Sequence, residues 1–312
     1  MAPTIEFAVQ DFLLSCRQSL RPSTTGWYAF HLRGLIERLE GTPIDQVQPL
    51  IIRQQLVEIR EQKQHRKGGN MAPGPVSKET IRARQRAYKR FFNWCVQEYD
   101  LNPLSNPMRK IKMLGADAQM PKAVDMDDVK KLLAACEDNP CGKRNRAIIF
   151  FLLDTGCRAG GLLTLTTDRL QVEIGRAIIT EKGDRSRVVP FTAPTALALS
   201  EWLAVRPAQA STVFCTLGWT EKRHATQLTN QGLREIFRRL AAKAGVEGRY
   251  NPHAFRHGNA REFLTNGGNI AALQQLLGHS NSNVTMMFYA RWNVAELAEQ
   301  QKKYSPVHNL ED

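Results

Sequence analysis

The 312-residue chain has no apolar run approaching the ~20 residues a helix needs to span a bilayer, which excludes an integral helical membrane protein. It shows no secretory leader, no glycine-rich nucleotide loop, no internal repeat and no low-complexity tract. Its six cysteines, Cys16, Cys95, Cys136, Cys141, Cys157 and Cys215, are scattered and lack the paired spacing of a zinc site. A chain of this length needs no disulfide staples, so they read as reduced thiols of a cytoplasmic protein. Acid is also in short supply: 30 Asp and Glu stand against 43 Lys and Arg, giving a formal net charge of +13 and a pI near 9.7. That imbalance points to a polyanionic partner. Basic residues recur along helical segments rather than in one tail, which favours DNA or RNA over a membrane surface.

An apolar fraction of 42% over this length predicts two domains with real cores. In the first, about residues 1–112, helical periodicity covers Thr4 to Ser19, a second helix capped by Ser23, and a third from Pro49 to Gln62. A basic, Gly- and Pro-broken loop follows and leads into a helix from Glu79 to Glu98. On that helix Ile81, Tyr88, Phe92 and Cys95 form an apolar stripe, and Arg82, Arg86, Lys89 and Arg90 a basic one. Such a stripe is often only a solvated face. With no acid between Arg82 and Arg90, a DNA-facing helix is the preferred reading. This domain carries 18 Lys and Arg against 10 Asp and Glu, most of the chain's excess charge. The proline- and glycine-bearing stretch from Asn102 to Lys122 reads as an extended connector, with the linker proper at 113–122.

The second domain, residues 123–312, reads as mainly helical with one small sheet. Helices are expected from Asp125 to Ala135, Lys143 to Leu153, Pro194 to Val205 and Thr229 to Ala244. Between them the period changes, and LQVEI, RAIIT and RVVPF predict three short antiparallel strands with turns at Gly175 and at Lys182-Gly183-Asp184. Near the end, Asn251 to Arg291 gathers His253, Arg256, His257, His279 and Tyr289. Asn251 and Pro252 start a helix whose first turn would carry His253 and Arg256, a position suited to an anion. His253 and His257 are four apart and with His279 could hold zinc, but Arg256 would repel the cation, so no metal and no cofactor is assigned. Tyr289, beside Met286, Met287 and Phe288, has core burial as its plain alternative.

In order along the chain stand Arg158 in DTGCRAGGLLTL, Lys182 in the sheet, HAFRH, LGH and FYAR. Together they resemble the tyrosine recombinases, or phage-type integrases, of the Xer and Cre kind. The resemblance covers both domains. It implies an amino-terminal helical core-binding domain, a catalytic domain, and no separate arm-binding module. It implies Tyr289 as nucleophile on a DNA phosphate, and Arg158 and Arg256 as holders of its non-bridging oxygens. Lys182 is then the acid for the departing 5′-hydroxyl, and His253 and His279 are hydrogen-bond and proton-transfer partners. On the helix from Thr229, Gln231, Arg234 and Arg238 become candidate DNA contacts. The implied partner is a double-stranded recombination site, bound by a tetramer that joins two such sites, with no membrane involved. The implied setting is the cytoplasm, at the nucleoid.

The chain departs from the family pattern at two places. Gly160 and Gly161 stand where Ser and Glu are common, and Arg291 stands where a histidine is usual after the tyrosine. The two glycines remove a carboxylate that would support Arg158. They motivate the alternative function, a catalytically silent DNA-binding regulator on the same fold.

Overall fold

The computed structural model describes residues 2–61, 76–115, 123–181, 185–217, 225–278 and 301. The chain divides into two compact units, Met1–Ala118 and Gln119–Asp312. Among the described residues there are eleven α-helices and one three-stranded antiparallel sheet, so the fold is mainly α, as the periodicity predicts. No helix among them is long and apolar enough to cross a membrane.

The first unit is built from α1 (Ile5–Ser19), α2 (Pro22–Leu39), α3 (Pro49–Glu61) and α4 (Lys78–Glu98). Phe12 sits at their centre, 2% exposed, edge-on to the rings of Tyr28, Phe91 and Trp94 at centroid distances of 5.2, 5.6 and 5.3 Å. The apolar stripe of α4 is buried as expected, with Phe91 joining it. Ser77 caps this helix by accepting from the Thr80 amide. The Tyr88 hydroxyl is satisfied in the core by Gln55 Oε1 at 3.0 Å. Helix α2 begins one residue before the expected Ser23 cap. Pro22 takes the first helical position, where its fixed φ suits the turn and its missing N–H costs nothing.

The stretch from Asn102 is not an extended connector as far as Leu114. Asn102 and Asn106 cap two short 3-10 turns, each accepting from the amide two residues on at 2.9 Å. Met108 and Ile111 are buried in the unit's core. Gln85 of α4 pins the chain from both sides, donating to the Lys112 carbonyl and accepting from the Leu114 amide. Proline and asparagine here mark turns that pack, not a free linker.

The second unit comprises α5 (Met126–Ala134), α6 (Pro140–Thr155), α7 (Ala159–Leu163), β1 (Leu170–Gln171), β2 (Arg176–Glu181), β3 (Arg185–Pro190), α8 (Ala193–Leu203), α9 (Asn230–Ala244), α10 (Pro252–Thr265) and α11 (Ile270–Leu277). Helix α6 is the axis, burying Ile148, Ile149, Phe151 and Leu152 against its neighbours α8 and α10. It starts earlier than the apolar run because Asn139 caps it at Gly142 and Pro140 takes the first position. The sheet order is β1-β2-β3, with Ala177 opposite Val189, Ile179 opposite Arg187 and Glu181 opposite Arg185. Ala177, Ile179 and Val189 face the core, while Ile178 and Val188 point outward. Strand β1 pairs over only two residues, since the chain turns at Val172, whose carbonyl accepts from Gly175.

Candidate active site

The site is assembled where α6 ends. Gly156 adopts a left-handed φ of +56° and closes that helix, so the chain reverses and Arg158 falls at the amino end of α7. A Cβ at position 156 would lie 2.6 Å from Leu277 Cδ2 and 2.8 Å from Asn259 Oδ1. Gly156→Ala is therefore expected to cost about 2–4 kcal/mol through backbone strain and overpacking together, read as a lower urea midpoint.

Helix α10 starts as the sequence predicts, with Asn251 capping at Ala254 and Pro252 next. Arg256 is its fifth residue, one step deeper than a first-turn anion position, and is only 4% exposed. Its guanidinium ties three segments together. Nη1 donates to the Gly156 carbonyl and Nη2 to the Leu277 carbonyl, each at 2.7 Å. Gly278, left-handed at φ +64°, ends α11 directly after that second carbonyl.

Glu181, at the end of β2, completes the arrangement. Its carboxylate, 7% exposed, forms an ion pair with Arg158, meets Arg187 Nη2 at 3.3 Å and lies 3.9 Å from Arg256 Nη1. It also accepts from the backbone amide of Arg158 at 3.5 Å. Arg187 is fixed in turn by donating Nη1 to the Leu276 carbonyl. Three guanidiniums thus share one carboxylate, a cluster of net charge +2. Such an excess of positive charge at a protein surface selects an anion. Arg158 is the member that reaches solvent, its side chain 37% exposed.

His253, on the exposed face of α10, has a pKa held below its ordinary value, first by desolvation and then by Arg256, Arg158 and Arg234. Its ring is therefore neutral near pH 7, able to donate from one nitrogen and accept at the other. His257, one turn on, is pushed down to about 4, chiefly by burial and then by His253 and Arg256. A folded-state pKa below the ordinary 6.5 means the unfolded chain takes up this proton more readily. Stability from this group is complete above pH 6.5 and falls as the pH drops towards 4. His257→Gln is expected to flatten that part of the acid-denaturation curve relative to the wild type, measured by thermal melts across the range.

Structure thus brings together Arg158, Arg256 and His253, with Arg234 of α9 close enough to act on His253. Lys182, His279 and Tyr289 lie outside the described residues. The remaining expected DNA contacts sit on exposed helix faces. Arg82 and Arg86 pair with Glu79 at 3.2 and 3.3 Å, so the acid just before the stripe offsets part of its charge. Lys89 and Arg90 are exposed on the same helix. On α9, Gln231 and Arg234 are exposed, and Arg238 pairs with Glu235 at 2.7 Å. Exposed pairs like these are weak and exchange readily for a phosphate. Sequence reasoning missed Glu181 and Arg187. The signal was an acid beside Lys182 in a chain short of acids, and an arginine at an inward-facing position of β3.

The model of the phage integrase family matches residues 122–296. Tyrosine recombinase XerC of Haemophilus influenzae (strain PittEE) is 27% identical over 303 residues, covering 95% of each chain. Tyrosine recombinase XerD of Listeria innocua is 28% identical over 218 residues, 69% of this chain and 72% of that one. Among solved structures, the Tn1549 transposon integrase in complex with transposon right-end DNA aligns with a TM-score of 0.72 at 20% identity, over 97% of this chain and all of that one. A lambda integrase tetramer bound to a Holliday junction aligns at 0.70 and 14% identity, over 92% and 78%. These two show that the fold is shared. With the family model spanning more than half its length, the chain belongs to the phage integrase family, the tyrosine-type site-specific recombinases.

Proposed function

We propose that the chain cuts and rejoins DNA at specific sites through a 3′-phosphotyrosyl intermediate. Tyr289 attacks the scissile phosphorus through its phenolic oxygen, the bond to the 5′-oxygen breaks, and Lys182 gives that oxygen its proton. Arg158 and Arg256 hold the non-bridging oxygens, while His253 and His279 hydrogen-bond the phosphate and carry protons. The new phosphodiester keeps the energy of the old one, so a 5′-hydroxyl re-attacks the tyrosyl bond without ATP. The observation that carries this reading is the Arg158–Arg187–Arg256 cluster around one carboxylate. In-line displacement at phosphorus builds charge on the equatorial oxygens, and guanidiniums fixed in advance stabilise it without reorganising.

In this reading residues 1–112 form the core-binding domain, 113–122 the connection and 123–312 the catalytic domain. Arg82, Arg86, Lys89 and Arg90 of α4 and Gln231, Arg234 and Arg238 of α9 contact the duplex. Four protomers act on two sites, in keeping with the tetramer named for lambda integrase. A DNA substrate places the work in the cytoplasm, at the nucleoid. The silent-regulator alternative loses its main support, because Arg158 has a carboxylate partner in Glu181 despite Gly160 and Gly161.

A nicked suicide duplex carrying the protein's site tests the reading. A covalent protein–DNA band is expected that survives EDTA and disappears in Tyr289→Phe. Robust gel shifting of the same duplex with no covalent band would replace the recombinase with the regulator.

A further inference from the structure

We propose that Glu181 is the positioning residue that orients Arg158 and Arg187 for phosphate binding, taking over from β2 the role of the carboxylate that the chain lacks at Gly160 and Gly161. This rests on the recombinase reading of the site and adds a residue to it.

The geometry links the two changes. A Cβ at Gly161 would lie 3.3 Å from Ile179 Cδ1 and 3.4 Å from Ile179 Cβ, so β2 packs on α7 at a distance that suits glycine. Ile179 and Glu181 alternate on one face of the same strand. This close approach, in which even a Cβ at 161 would need Ile179 to give by a few tenths of an ångström, brings Glu181 to the start of α7. There it accepts from the Arg158 amide and pairs with the Arg158 guanidinium. A longer residue at 161 would hold the strand off, and Glu181 would lose that reach. Gly160, by contrast, has nothing within 4 Å of a built Cβ, so sterics do not require glycine there.

Burial decides between support and competition. Glu181 is 7% exposed and Arg158 37%, so the carboxylate is the buried partner and the guanidinium the one that meets solvent. Its two oxygens divide the work, Oε2 to Arg158 and Oε1 to Arg187 and the Arg158 amide. Each guanidinium is held through one nitrogen, a charge-assisted contact that restrains where it sits.

The test uses the full chain and a nicked suicide duplex at saturating protein. Glu181→Gln is expected to slow covalent-adduct formation by about 10- to 100-fold, the usual cost of losing a group that orients another. Duplex affinity should stay near wild type, while the melting temperature should fall because the buried Arg187 and Arg256 lose their counter-ion, so rates are compared at a temperature where the variant is folded. Glu181→Asp, which keeps the charge one methylene shorter, should recover part of the rate. A Glu181→Gln enzyme as fast as wild type, or faster, would overturn the proposal, the faster case marking Glu181 as an occupant of the phosphate's place. Should the wild type form no adduct, the recombinase reading fails and a second measurement decides on Glu181. In nitrogen-15 spectra of the wild-type arginine side chains, with Arg158 assigned through Arg158→Lys, resolved Nη–H signals are expected for a guanidinium held by Glu181. Fully averaged signals would overturn the proposal.

Discussion

Arg256→Ala is expected to lower the protein's unfolding free energy by about 3–5 kcal/mol and to abolish detectable covalent-complex formation. The arginine is buried, and two backbone carbonyls from different segments depend on it. Removing it strands the carbonyls of Gly156 and Leu277, each costing about 1–3 kcal/mol when buried without a donor. It also takes away one of the three charges around Glu181. Arg256→Lys separates structure from chemistry. An ammonium is a single point and cannot bridge both carbonyls as a planar fork does, so about half of the stability loss should persist while the adduct rate stays at least about 10²-fold down. Denaturant titration and single-turnover cleavage of a suicide duplex read the two effects. A wild-type midpoint for Arg256→Ala would remove it from its place as the tie between α6, α10 and α11.

Arg158→Ala should behave differently. Its side chain is more than a third exposed, and an ion pair at such a surface contributes at most about 1 kcal/mol once solvent screening is allowed for. Glu181 is not stranded by the change, since Arg187 and Arg256 remain beside it. The unfolding midpoint should therefore barely move. Adduct formation should fall by about 10²–10³-fold, the cost of removing one preorganised donor from a developing oxyanion. A large midpoint shift with cleavage intact would reverse the assignment and make Arg158 a structural residue.

Much of this was legible from residues alone. Local rules placed several helix starts, because Asp125, Thr229 and Asn251 each stand at an expected start and accept from an early helical amide, whereas the Asn139 cap of α6 lies ahead of the apolar run that marked that helix. The change to a two-residue period announced β2 and β3. The ordered run of Arg158, Lys182, HAFRH, LGH and FYAR pointed to the family. What escaped was non-local. Whether Asn102 to Leu114 hangs free or packs depends on Gln85, more than a dozen residues away on another element. The acid serving Arg158 lies 23 residues away, on a strand that packs closely against position 161. A search confined to the residues next to Arg158 finds two glycines and concludes that support is absent. The sequence puts Arg256 in the first turn as an anion ligand, whereas its burial makes it an internal tie as well.

The central claim is that this arginine cluster presents a DNA phosphate to Tyr289. Mass spectrometry of the nuclease- and protease-digested covalent complex tests it most directly. A single peptide spanning Tyr289 and carrying a 3′-phosphonucleotide on the phenol is the expected result. A nucleotide on any other residue, or no adduct from a protein that binds its site tightly, would contradict the account.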